Sequence, residues 1–130
     1  MKCLLDTHMV LWLAENSPKL SNTAKAIILD ETNEKYVSIA SCWEVSIKLS
    51  LNKLDLAGGT HEFFRIIREN GLLILQVEEG YLAFLETLPF HHRDPFDRLI
   101  IATAISEGLA LLTDDSQIVG YAGAGLQIVS

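Results

Sequence analysis

Two stretches of the chain are apolar without alternation: Leu72-Leu73-Ile74-Leu75-Gln76-Val77 and Leu109-Ala110-Leu111-Leu112-Thr113. A strand with one wet face alternates polar and apolar residues. Runs like these belong instead to strands covered on both faces, as in a parallel sheet with helices above and below it. Short β-like runs also stand at Lys2–Leu5, Tyr36–Ile39 and Leu126–Val129. Between the runs, apolar residues recur at helical spacing. One such segment carries Met9 to Leu13 and breaks at Asn16-Ser17-Pro18; another starts at Ser21, with Ala24, Ile27 and Ile28 on one face. Ser41 opens a third, with Val45 and Leu49 inward, and Thr60 is the expected cap of a fourth that gathers Phe63, Phe64 and Ile67 and ends at Gly71. Segments Glu78–Leu88 and Phe96–Glu107, the latter closed by Gly108, complete the set. Strands alternating with helices predict an α/β fold. The expected form is a three-layer α/β/α sandwich around a parallel sheet of four to five strands, with residues 1–130 as one domain.

Bulk properties narrow the function. Hydrophobic residues make up 49% of the chain, enough for a core without covalent staples. No apolar run approaches the roughly 20 residues that span a bilayer. Asp6, His8 and Glu15 interrupt the apolar start, so no signal peptide is expected and the cytoplasm is the expected location. Cys3 and Cys42 lie in apolar segments and read as buried thiols. No paired CxxC or HxxxH spacing occurs, which argues against a Cys/His metal centre. The net charge of −7 argues against a non-specific nucleic-acid binder, which needs a basic surface. It leaves room for a nuclease, since clustered carboxylates contribute to that charge and a divalent cation offsets part of it.

The carboxylates fall at the ends of the elements. Asp6 follows the first strand, Glu44 lies one turn into the helix after the second, and Asp114 and Asp115 follow the Leu109–Thr113 strand. In a parallel sheet these positions share the carboxyl edge, where ligands bind. Asp97 begins a helix behind Pro95, and that helix start lies at the same edge. Taken singly, each acid has a plain alternative. An Asp after a strand is most often a helix cap, Glu44 can pair with Lys48 at i, i+4, and Asp97 suits a helix N-terminus. Their convergence favours a site. Several carboxylates in one cleft repel one another, and a hard cation such as Mg²⁺ or Mn²⁺, with its preference for oxygen ligands, relieves this. Ser-His-Asp, Cys-His and Gly-rich phosphate-loop signatures are absent.

These residues also resemble the motifs of the PIN-domain family, and in particular the VapC-type toxins of bacterial toxin–antitoxin systems. Leu4-Leu5-Asp6-Thr7-His8 is similar to the opening motif, and Ser38-Ile39-Ala40-Ser41-Cys42-Trp43-Glu44-Val45 with Lys48 to the second. Asp94-Pro95-Phe96-Asp97-Arg98-Leu99-Ile100 resembles the third, and Leu111-Leu112-Thr113-Asp114-Asp115 the fourth. The resemblance covers essentially the whole chain. It implies a Mg²⁺- or Mn²⁺-dependent endoribonuclease with Asp6, Glu44, Asp97 and Asp115 as catalytic and metal-binding acids, Asp114 being a substitute for Asp115. It also implies an RNA substrate, a homodimer and a cognate antitoxin whose basic segment enters the acidic groove. Lys48, Arg93 and Arg98 are the candidate RNA contacts, with Lys53, His91 and His92 nearby. Thr7, Ser41, Thr113 and Asp94 are expected to support the acids, Asp94 by capping the helix or orienting Arg98.

Trp43 is expected in the core or crevice wall, while Trp12, on a helix apolar nearly all round, is expected to be buried or covered by a partner. The alternative function is a catalytically silent PIN-like protein that binds RNA or a partner. A phosphoryl-receiver domain fits poorly, because Leu126–Ser130 contains no Lys. A small-molecule phosphohydrolase shares the same acidic chemistry.

Overall fold

The computed structural model describes residues 1–130. Five strands, β1 (Lys2–Leu5), β2 (Glu34–Ser38), β3 (Leu73–Leu75), β4 (Ala110–Leu112) and β5 (Ile128–Val129), form one sheet in the order β3-β2-β1-β4-β5. Every pairing is parallel, with Leu4 opposite Tyr36 on one side and Leu111 on the other. The helices are α1 (Thr7–Glu15), α2 (Asn22–Leu29), α3 (Ile39–Ser50), α4 (Gly59–Glu69), α5 (Glu79–Thr87) and α6 (Pro95–Glu107). A 3-10 helix, Ile118–Ala124, joins β4 to β5.

Alternation along β1 sorts the core into two layers. Cys3 and Leu5 face a cluster built with Met9 and Val10 of α1, Ile28 of α2, Val45 of α3 and Phe63 and Ile67 of α4. Leu4 faces the other layer, made by Ile100, Ile101 and Ala104 of α6 with Ile118 and Tyr121 of the 3-10 helix. The three-layer α/β/α sandwich around a parallel sheet is therefore present, as the apolar runs require.

Local chemistry sets the helix boundaries. Asp6, Ser21, Ser38 and Asp94 accept N-cap hydrogen bonds from the first turns of α1, α2, α3 and α6. Pro95 occupies the first turn of α6, where its missing N–H costs nothing. Gly108 closes that helix at φ +66°, a left-handed conformation that a side chain would strain. The expected cap of α4 is corrected: Gly58 occupies the cap position at φ +88°, and Thr60 lies inside the helix.

One further expectation is overturned and another narrowed. β3 is an edge strand of three residues with Leu73 exposed, because β2 covers only one of its sides. Of the two places expected for Trp43, core or crevice wall, exposure excludes the core; its ring is set edge-on to Phe96 with centroids 5.4 Å apart. Trp12 is half-buried, packed partly on the α1 side of the core. No helix is long and apolar enough to cross a membrane.

Candidate active site

Chain crossings place a crevice at one point on the sheet. From β1 the chain passes over one face to β2, and from β3 it returns over the other face to β4 on the far side of β1. A switch of direction of this kind leaves a cleft outside the carboxyl ends of the two central strands. There the backbone N–H of Asp6 donates to Leu112 O at 3.0 Å, which ties the end of β1 to β4.

Asp6 is buried, and both of its carboxylate oxygens are used. Oδ1 accepts the Met9 backbone N–H at 3.0 Å as the α1 cap, and Oδ2 accepts the Thr113 hydroxyl. Burial pushes its carboxyl upward, the Thr113 and Met9 hydrogen bonds pull it back, and the Asp115 charge adds to the rise. The helix-cap and site readings of Asp6 are thus compatible, because the two oxygens divide the tasks.

Glu44, also buried, lies beside α1. Its Oε1 is 2.7 Å from the Thr7 hydroxyl, which in turn is 2.9 Å from Ser41 Oγ. Its Oε2 pairs with Lys48 Nζ at 2.8 Å. That hydrogen bond raises the Lys48 pKa, with further contributions from Asp94 and Asp97. Lys48 remains partly in solvent.

Asp97 projects from the first turn of α6. Its pKa is raised to about 7, chiefly by burial, then by Asp94, with Glu44 and Asp6 adding to the rise and His92 opposing it. Glu44 and Asp6 thus act on the Asp97 carboxyl through their charge. Asp115 completes the group: its Oδ1 accepts the Gln117 N–H at 2.8 Å, and its own N–H donates to Thr113 Oγ1 at 3.1 Å.

The residue that sequence reasoning undervalued is His92. Its Nε2 lies 2.8 Å from Asp115 Oδ2 and 3.1 Å from Asp97 Oδ2, and the ring is buried. These ligand-type atoms of His92, Asp97 and Asp115 lie within 4.8 Å of one another. Adjacent His91 diverges onto the Tyr121 ring, with centroids 5.0 Å apart. The divergence of neighbours was legible in the sequence, but which of the pair points inward was not.

Other candidates separate cleanly. Asp94 is the N-cap of α6, with Oδ1 accepting from Phe96 and Asp97 N–H groups at 2.9 and 3.1 Å. Asp114 is exposed and borders a shallow cavity with Asp6, His8, Trp12 and Asp115; it is Asp115 that bonds His92. Arg93 is exposed on the loop before α6. Arg98 is a correction: it is buried and turned away from solvent, so it offers no group to a substrate. Its guanidinium donates to the carbonyls of Leu85, Leu88, Pro89 and His92 and lies near the Tyr121 hydroxyl, with Phe90 stacked 4.0 Å from its centre. A guanidinium fork suits such a set of carbonyls. A second cleft, about 270 Å³, opens beside the acids between α1 and α3, lined by Thr7, His8, Trp12, Lys48 and Lys53 among others.

Solved structures with this fold include VapBC2 from Rickettsia felis bound to a promoter DNA fragment, at TM-score 0.73 and 17% identity, covering 99% of this chain and 98% of that one. VapBC-1 from nontypeable Haemophilus influenzae aligns at TM-score 0.71 and 17% identity over 100% and 98% of the two chains. Among curated proteins, Ribonuclease VapC22 of Mycobacterium tuberculosis is 28% identical over 116 residues, 88% of each chain. The family described as PIN domain matches residues 3–124. That span holds all four strand- and helix-end acids together with His92, and the chain belongs to the PIN domain family.

Proposed function

We propose that this protein is a metal-dependent endoribonuclease and the toxin of a toxin–antitoxin pair. The observation that carries the reading is that Asp6 and Asp115 meet on Thr113 while Asp115 and Asp97 meet at His92, with the charge of Glu44 contributing to an Asp97 carboxyl raised to about 7. The similarity to a ribonuclease and to structures of toxin–antitoxin complexes supports it.

The donor set fits a hard divalent cation. Carboxylate oxygens predominate, and their mutual repulsion is the cost that a cation removes. Asp6, Glu44, Asp97 and Asp115 would hold Mg²⁺ or Mn²⁺, directly or through its waters. When bound, the ion supplies charge stabilisation for a phosphodiester and an acidified water. The chain's own residues do the rest. Thr7 and Thr113 hold Glu44 and Asp6 in fixed rotamers by donating to their carboxylates. Lys48, tethered to Glu44 but half in solvent, is positioned to take a phosphate of the RNA backbone. Arg93 is the second candidate for that contact, while Arg98 is withdrawn from it by its burial. An antitoxin with a basic segment suits the same acidic groove, and a homodimer remains part of this reading.

The test is cleavage of a mixed RNA pool with Mg²⁺ or Mn²⁺, with EDTA, and with Asp97→Asn. Cleavage that requires the metal and disappears in the variant supports the reading. Folded, metal-loaded protein that leaves RNA intact but turns over phosphate monoesters would replace it with a phosphohydrolase. Tight RNA binding without turnover would replace it with a silent binding protein.

A further inference from the structure

The hydrogen bonds around His92 fix which ring nitrogen carries the proton. Its Nδ1 accepts the Asp94 backbone N–H at 3.1 Å. An accepting nitrogen has no hydrogen of its own, so in the neutral ring the proton sits on Nε2. Asp94 cannot readily turn away, because its Oδ1 caps the first two N–H groups of α6 and its carbonyl accepts the Arg98 N–H at 3.0 Å. His92 is anchored as firmly through its main chain. Its N–H donates to the Tyr121 hydroxyl at 3.0 Å, that hydroxyl donates to Pro89 O at 2.6 Å, and the His92 carbonyl accepts from Arg98.

Nε2–H therefore points at Oδ2 of Asp115 after β4, and Oδ2 of Asp97 on α6 lies 3.1 Å from the same nitrogen as a close contact without a hydrogen bond. Ionised carboxylates this close repel, and a polar N–H bonded to one and in contact with the other offsets that repulsion. The same geometry disqualifies His92 as a metal ligand in this arrangement, since a protonated nitrogen has no lone pair to give.

We infer that His92 is a positioning residue: a donor of fixed tautomer that clasps Asp97 and Asp115 together, so that the acidic site is assembled before any metal arrives. This rests on the metal-dependent reading above for its purpose, but its geometry is independent of RNA. The buried Arg98–Tyr121 scaffold acquires a role in consequence, because it holds the loop from which His92 reaches the acids.

The experiment reads the ring nitrogens of His92 by ¹⁵N NMR in the metal-free protein and again at saturating Mg²⁺. Mn²⁺ affinity is then measured by calorimetry for the wild type, His92→Phe and His92→Gln. Expected are a protonated Nε2 and bare Nδ1 in both spectra, and Mn²⁺ affinity about 10–100-fold weaker in His92→Phe. His92→Gln, whose amide can donate from near the Nε2 position, restores most of that affinity. A bare Nε2 in the metal-free protein overturns the proposal, as does loss of the Nε2 proton on adding Mg²⁺, which would make His92 a ligand. Wild-type affinity in His92→Phe overturns it as well. Should the protein bind Mn²⁺ normally yet fail to cut RNA, the nuclease reading falls and the clasp stands. The spectra also decide the matter if neither variant folds.

Discussion

The Thr113 hydroxyl donates to Oδ2 of Asp6 across 107 positions of sequence, closing the crevice between the two central strands. Thr113→Val keeps the shape and removes the donor, leaving a buried carboxylate oxygen without a partner. We expect a loss of about 1–3 kcal/mol in urea unfolding. The Asp6 carboxyl then moves further upward, so divalent-ion binding in the variant requires higher pH than in the wild type. Equal unfolding midpoints and superimposable pH dependences of Mn²⁺ binding would show that the bond is idle.

Asp97 links pH to stability with a definite sign. Its carboxyl is raised from the ordinary 3.8 to about 7 in the folded protein. Below the lower value it is protonated in both states. Between the two values the unfolded chain ionises while the folded one retains its proton, so stability falls as pH rises through this window and stays low above it. Asp97→Asn should accordingly raise the metal-free melting temperature at pH 8 by roughly 3–6 °C, about 1 kcal/mol for a chain of this size. At pH 4 the advantage should shrink toward zero. Thermal scans in EDTA at both pH values check this, and an equal destabilisation at each would refute it. Saturating Mg²⁺ should stabilise the wild type by about 2–3 kcal/mol at a hundredfold excess over its dissociation constant. It should do far less for the variant.

Arg98 predicts a separation of stability from substrate binding. Arg98→Lys retains the charge but cannot reach the carbonyls of Leu85, Leu88, Pro89 and His92 together. Breaking the hydrogen bonds of a buried cation in this way should cost about 2–4 kcal/mol. The salt dependence of RNA binding should be unchanged in the folded variant. A reduced salt slope with unaltered stability would restore Arg98 to the substrate surface.

Lys48 predicts the converse. Its ion pair with Glu44 is half in solvent, so Lys48→Met should change stability by no more than about 1 kcal/mol. The slope of log affinity for RNA against log salt should fall by about one counterion. Binding to an uncleavable deoxy-substituted oligonucleotide across a salt series measures it. An unchanged slope would confine Lys48 to its partnership with Glu44.

The acidic site was legible where local rules placed the residues. Asp6 and Asp115 follow apolar runs, and Asp97 follows a proline at a helix start, so their common edge required only that the sheet be parallel. His92 was not legible. A histidine in a loop beside another histidine has no periodicity to orient it, and the atoms that direct it belong to Tyr121, Arg98 and Asp94. Arg98 misled for the same reason. On a helix face it reads as a solvent-facing cation, yet the loop 89–92 folds over it and supplies the acceptors that a buried charge needs.

By itself the sequence determined the elements and most of their ends, although the cap of α3 is Ser38 rather than Ser41 and that of α4 is Gly58 rather than Thr60. Strand and helix periods, the caps at Asp6, Ser21 and Asp94, and the turn at Gly108 are properties of a few neighbouring residues. Tertiary structure alone decided that β3 lies at the sheet edge, that Trp43 is exposed, that Arg98 turns inward and that His92 joins the acids. The physical reason is one of range. Periodicity reports which face of an element is apolar, whereas the direction of a polar side chain is settled by the distant groups that satisfy its hydrogen bonds, and those meet only when the layers close.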